Sequence, residues 1–365
     1  MNHQSASLWP LLLFFSLLTV MSGLLHAVPS SAQWHALNNS IVTVHIVPGY
    51  QRFAAASRAL ETASQQLCKQ PDMQQLQRVQ QAFQDTMDGW QKIQHLQFGP
   101  IENLMRNFSI QFWPDKKNLT SKQLNHLLAE QNPDTLQPDY FRSASIAVKG
   151  LPAMERLIFN GKGVEPFRNN SYHCRLNAGI SSYLATMGRE TADEWRNFSN
   201  AFVTPGDGIS YYDDNQEAAI DLMKSLVEPV EVIRDLKILR PLGNKAGRVK
   251  PRRTESWRSQ HSLRNIQLNI SSLHSLYSGT GNTSVRQLLE QQGGQTLAND
   301  IDIQFDTIEQ QLGQVPAPIS ASLKQPQTQQ QFRQLAAELK ILHQQLSTVT
   351  QLLNIQLGFN SRDGD

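Results

Sequence analysis

Apolar residues recur at helical spacing along nearly the whole chain. Phe53, Ala56, Leu60, Ala63 and Leu67 form one stripe behind Pro48, a residue suited to a first helical turn, and Leu76, Val79, Phe83, Met87 and Trp90 form the next. Thr120-Ser121 ahead of Leu124, Leu127 and Leu128 predicts a short helix capped by a hydroxyl. Ile180, Leu184, Met187, Thr191, Trp195, Phe198 and Phe202 predict a long helix that stops at Thr204-Pro205-Gly206. In the second half, Leu222, Leu226, Ile233 and Leu236 stripe a helix that Pro229 is expected to bend. Leu297, Ile301, Phe305, Ile308 and Leu312 stripe another. Phe332, Leu335, Leu339, Leu342, Leu346, Val349 and Leu353 alternate steps of three and four, which is the seam of a bundle helix. Only Ile41-Val42-Thr43-Val44-His45-Ile46-Val47 reads as a short strand or an extended arm.

Two halves of this style, joined near Val203 to Asp214, predict an all-α protein of two tandem antiparallel bundles, over 33–204 and 205–365. Residues 1–32 stand apart. Leu8 to Leu25 is a nearly unbroken apolar run, and Ser30-Ser31-Ala32 before Gln33 is a small-residue cleavage pattern, with Ala27 before Val28 as the other site. The run fits a signal peptide. An uncleaved anchor also fits, because the run is close to the shortest length that spans a bilayer.

Export changes how the two cysteines are read. In an oxidising compartment Cys68 and Cys174 make a candidate disulfide, while two buried thiols are the alternative. No Cys-x-x-Cys or Cys/His cluster supports zinc. The formal net charge of +2 argues neither for nor against a polyanionic partner. Basic residues do concentrate from Lys237 through Arg264, including Arg240, Lys245, Arg248, Lys250, Arg252, Arg253 and Arg258, with Glu255 the only acid between Asp235 and Glu290. Such a run binds an anion, for instance a carboxylate-rich iron chelate, or is a solvated loop. Nucleic acid is not expected of an exported chain without interleaved aromatics.

The segment Gly150-Leu151-Pro152-Ala153-Met154-Glu155 resembles the G-x-H-x-x-E signature of the imelysin-like family, with proline in place of histidine. Phe98-Gly99-Pro100, Phe112-Trp113-Pro114-Asp115, Glu255-Ser256-Trp257-Arg258-Ser259 and the tail Gly358 to Asp365 extend the resemblance over most of the chain, nearest to its periplasmic and lipoprotein branch. The resemblance implies two helical bundles with a site between them. It also implies a periplasmic or envelope location and a part in iron uptake, with envelope iron-uptake components and peripheral membrane contact as possible associations. Iron or chelated iron is the implied cofactor or cargo. The candidate ligand-binding residues are Gly150, Glu155, Trp257, Arg258, Ser259, Asp363 and Asp365.

The family also carries a metallopeptidase label, which these residues do not favour. A zinc peptidase needs about three protein ligands and a general base. Histidine and glutamate three apart on a helix offer two ligands to one ion, but Pro152 has no lone pair to give, so Glu155 stands alone. His126 and Glu130 read better as an exposed pair, and no Gly-x-Ser-x-Gly elbow supports a serine nucleophile. Pro152 is further expected to kink its helix near Val148. Glu155 is expected to pair with Arg258, on a helix opening at Glu255 and running to Tyr277. A purely structural envelope protein remains the alternative to a binding protein.

Overall fold

The computed structural model describes residues 28–206, 211–243, 248–279, 281 and 283–358, and the described residues are helices joined by turns, without a strand. The apolar run Leu8 to Leu25 lies outside them. Among the described residues no helix is long and apolar enough to cross a membrane.

Helix α1 (Ser31–Ile41) starts on a reciprocal cap. The Gln33 N–H donates to Ser30 Oγ, and the Ser30 N–H donates to Gln33 Oε1 at 2.9 Å. The helix continues through a widened turn at Val42–Ile46 into α2 (Val47–Lys69). The expected strand at Ile41 to Val47 is therefore helical. An alternating strand would bury Val42, Val44 and Ile46 together, whereas Ile41, Val42 and Ile46 are buried and Val44 is exposed, which is one helical face. Packing overrides the β preference of these side chains. Pro48 falls in the first turn of α2 as expected, but that turn follows directly on the widened one and the helix does not break there. A π turn re-phases the backbone there, which suits a residue with no N–H to donate.

Helix α3 (Met73–Gln91) folds back on α2 after Asp72, whose carboxylate caps it by accepting from Gln75 N–H at 2.8 Å. Several shorter helices precede the long α6 (Ser171–Val203), among them α4 (Leu119–Glu130) and α5 (Gly150–Ile158). α2 lies between α3 and α6 and packs closely on both. Glycine permits this approach: a Cβ on Gly89 would sit 3.3 Å from Phe53 Cα, and one on Gly188 would sit 3.2 Å from Ala54 Cα. Cys68 and Cys174 are joined as a disulfide with Cα atoms 5.4 Å apart, tying the end of α2 to the start of α6.

The second bundle is built mainly from α7 (Asn215–Val232), α8 (Ser262–Ser278), α9 (Val285–Gln291), α10 (Gln295–Gly313) and α11 (Pro326–Leu352). The predicted seam of α11 is buried from Phe332 to Leu353, against α10 and α7. Pro229 is inside α7, and a second widened turn, Ile233–Leu239, follows it. The halves do not simply lie side by side. α1 packs on α7, α8 packs on α3, and the buried apolar residues form one connected cluster.

Candidate functional site

The site is built on the start of α5. Gly150 has φ +77°, and a Cβ there would lie 2.1 Å from the Ser109 carbonyl oxygen and 2.4 Å from that of Ile110. Only glycine lets α5 begin against this backbone. Because α5 starts at Gly150, Pro152 falls in its first turn, where backbone N–H groups have no intrahelical acceptor. The kink expected near Val148 is therefore absent, since no helical hydrogen bond is lost.

One turn on, Glu155 is only 6% exposed. Its Oε1 accepts from Ser259 N–H at 2.9 Å and from Ser259 Oγ at 2.7 Å. Burial pushes its carboxyl above the usual range, opposed by the two Ser259 donors and more weakly by the Arg258 charge. The expected Glu155–Arg258 ion pair is thus replaced by a serine clamp. Arg258 lies over the Trp257 ring at 4.3 Å instead, close enough for its charge to be felt at Glu155. The helix expected to open at Glu255 opens at Ser262. Ser256 (φ 50°) and Gln260 (φ 59°) are left-handed, so Glu255 to Gln260 forms a tight turn that presents successive side chains in different directions.

Glu255 faces away from Glu155, into a buried polar cage between the bundles. It accepts from Lys237 Nζ (2.8 Å), Gln111 Nε2 (2.7 Å) and Asn265 Nδ2 (2.7 Å). Lys237 Nζ donates further to Gln91 Oε1 (2.8 Å) and Asn269 Oδ1 (2.6 Å). Burial lowers the Lys237 pKa and the Glu255 carboxylate raises it again. Sequence reasoning placed Lys237 in a basic run and overlooked Gln91, Asn265 and Asn269. The signal available was their register. Asn265 and Asn269 sit four apart among Ile266, Ile270 and Leu273, and Gln91 follows Trp90 on the buried face of α3.

Between α4, α5 and the 252–258 turn lies a cleft of about 780 Å³, lined by Pro152, Glu155, Trp113 and Trp257. Its charged lining is dominated by Lys116, Lys122, Arg156, Arg240, Arg252, Arg253 and Arg258. Of its two acids, Glu155 is held by Ser259. Asp115 caps α4 by accepting from Leu119 N–H (2.9 Å) and Thr120 N–H (2.8 Å), so the cap expected from Thr120-Ser121 comes from Asp115. Arg240 lies over Trp113 at 5.8 Å, and Arg252 over Trp257 at 5.5 Å. An adjoining cavity of about 1060 Å³ shares Arg252, Arg253 and Arg258 and adds Lys162, Lys250 and Lys324. Part of the basic run is therefore the wall of a concave surface. Lys245, Asp363 and Asp365 lie outside the described residues. His126 and Glu130 form an exposed pair at 3.1 Å.

These donors do not suit a bare metal ion. Pro152 contributes none, and Glu155 offers one carboxylate that already accepts two hydrogen bonds beside several cations. Geometry and charge fit an anion: guanidinium groups over indole rings, able to fork onto carboxylate or phosphate oxygens.

A structure of an imelysin-like protein from Psychrobacter arcticum has the same fold, with a TM-score of 0.77, covering 91% of this chain and 99% of that one at 19% identity. That of a putative iron-regulated protein A precursor from Parabacteroides distasonis gives 0.70 over 91% of this chain and 97% of that one, at 17% identity. In sequence, the chain is 25% identical to the iron-regulated protein A of Synechococcus elongatus over 293 residues, 77% of this chain and 76% of that one. The family model described as Imelysin matches residues 46–346, which span both bundles, the Gly150 to Glu155 segment and the Glu255 to Ser259 turn. This chain belongs to the imelysin family.

Proposed function

We propose that this chain is an exported, non-catalytic ligand-binding component of bacterial iron acquisition, and that its cleft takes an anionic ligand such as a carboxylate-chelated ferric ion. The observation that carries the proposal is the lining of the cleft: a stacked arginine–tryptophan wall facing Glu155 and a proline where the family signature has a histidine. The names of the cyanobacterial and Parabacteroides relatives support the link to iron, and the word precursor in the second supports export, as does the Leu8 to Leu25 run. The location that follows is the periplasm or cell envelope.

Calorimetry with ferric citrate, citrate alone, ferrous iron and zinc tests the proposal. Ferric citrate binds the natural chain, and Arg252→Met and Arg258→Met each weaken it by about 1.5–3 kcal/mol, the worth of a hydrogen bond to a charged group. Pro152→His, which creates a histidine and glutamate three apart, gains affinity for ferrous iron or zinc. Tight zinc binding by the natural chain, with chelator-sensitive proteolysis abolished by Glu155→Gln, would overturn the proposal in favour of a peptidase.

A further inference from the structure

On the second bundle, α8 and α10 bring together a histidine and two carboxylates, none of which lines the cationic cleft. His274, Asp306 and Glu309 each offer one donor atom, and these atoms lie within 4.8 Å of one another. We propose that the three side chains form a binding site for a divalent transition-metal ion of the zinc, cobalt or ferrous type.

The spacing of the donors supports this. His274 Nδ1 lies 3.4 Å from Glu309 Oε1. Two ligands about 2.1 Å from a tetrahedral ion are themselves about 3.4 Å apart, so this pair already spans one edge of a coordination sphere. Asp306 lies one helical turn before Glu309 on the same face of α10, and it is exposed. The remaining distance, at most 4.8 Å between donor atoms, is within the reach of a rotamer change of an exposed side chain. The imidazole does not share this freedom. Its ring lies parallel to that of Phe305, at 2° with centroids 4.6 Å apart, and Phe305 is fully buried. The packed core of the bundle thus fixes the plane of the nitrogen donor, while the Glu309 carboxylate already paired with it and the exposed Asp306 complete the set.

One imidazole with two carboxylates is a mixed nitrogen and oxygen set. Zn²⁺, Co²⁺ and Fe²⁺ favour such a set, whereas Mg²⁺ and Ca²⁺ take oxygen ligands and gain nothing from the ring. Three protein ligands and an exposed rim leave a further position for water. The site is independent of the cleft, so either can fail without the other.

The test uses mature protein without a polyhistidine tag, titrated with ZnCl₂ by calorimetry and with CoCl₂ by visible absorption. One saturable equivalent of each ion is expected, with cobalt d–d bands, and no comparable heat from MgCl₂. Loss of an outer partner of a metal ligand already weakens binding by about 10- to 100-fold, so His274→Asn and Glu309→Gln should each cost at least about tenfold. Should His274→Asn disturb folding, Asp306→Asn at the exposed position gives the same decision. The proposal is overturned if zinc does not saturate, if His274→Asn binds as the natural chain does, or if binding instead disappears in Glu155→Gln. It is likewise overturned if His95→Gln removes binding, which would place the ion at the His45–His95 pair, whose Nε2 atoms lie 3.1 Å apart.

Discussion

Glu155 shows how far a single position can be read from a sequence. The sequence suggested that it needs a partner, because a carboxylate at a helix interface needs donors, and pointed to Arg258. Which donors was not legible, because Ser259 reaches it only through a turn set by the left-handed Ser256 and Gln260, residues whose types do not advertise that conformation. Pro152 was misread for a related reason. A proline three residues before a glutamate looks internal to a helix until the start of that helix is known. The serine clamp carries a prediction with a definite pH dependence. Burial raises the Glu155 carboxyl, so its folded pKa lies above the unfolded one. The charged form therefore burdens the folded state above the folded pKa, and this burden disappears as pH falls to the unfolded pKa. Ser259→Ala removes the Oγ donor and leaves the backbone N–H alone. It is expected to destabilise by about 1–3 kcal/mol at pH 8, where the carboxylate is charged, and by less at acid pH, where it is protonated. Urea midpoints at pH 8 and pH 4.5 check this, and an equal loss at both would show that the bond does not act through the charged form.

At the scale of elements, the long helices were legible wherever one amphipathic stripe sufficed. α6 and α11 follow from a 3.6 period alone, and for α6 Thr204-Pro205-Gly206 adds the stop. Misreadings occurred where local preference and tertiary packing disagree, as at Ile41 to Val47. There, Ile and Val are strand-forming types, but they are held helical between two well-formed neighbours, with Ile46 buried against the core. If the chain is exported and processed as proposed, the same N-terminal element bears on which of the two sites is cut. Cleavage before Gln33 would remove Ser30, and with it the cap whose side chain and backbone pair with Gln33, together with the first two residues of α1. Losing an N-cap costs about 0.5–2 kcal/mol, and α1 packs its Trp34 and Leu37 into the core. Cleavage after Ala27 keeps the whole element. The mature protein should therefore begin at Val28 by intact mass, and a mass starting at Gln33 would show that the cap is dispensable.

For the whole molecule, the all-α class was legible but the mutual arrangement of the two halves was not. An amphipathic stripe reports that a face is buried without naming what covers it, and nothing local in α1 or α8 says that they pack on α7 and α3. The contact between bundles rests partly on polar groups, which is why a hydrophobic pattern misses it. Lys237 and Glu255 are each about 3% exposed, and their partners come from both sides: Gln91 and Gln111 from the first bundle, Asn265 and Asn269 from α8. The cage also reaches the cationic cleft, since Glu255 belongs to the same tight turn as Trp257, Arg258 and Ser259. Removing one charge of a buried pair leaves the other unpaired and costs about 3–5 kcal/mol, whereas replacing both by apolar groups of similar volume is often neutral or better. Lys237→Met and Glu255→Leu should therefore each destabilise by that amount, while the double variant recovers a large part of the loss, so that the cycle shows strong coupling. Stability alone does not show what the pair is for. If it sets the turn, the double variant should recover much of its stability and still lose affinity for ferric citrate, because Trp257 and Arg258 are no longer held at a fixed angle to Glu155. Chemical denaturation and calorimetry on the same four proteins separate the two effects, and an additive cycle with unchanged affinity would mean that the cage neither couples the bundles nor orients the cleft.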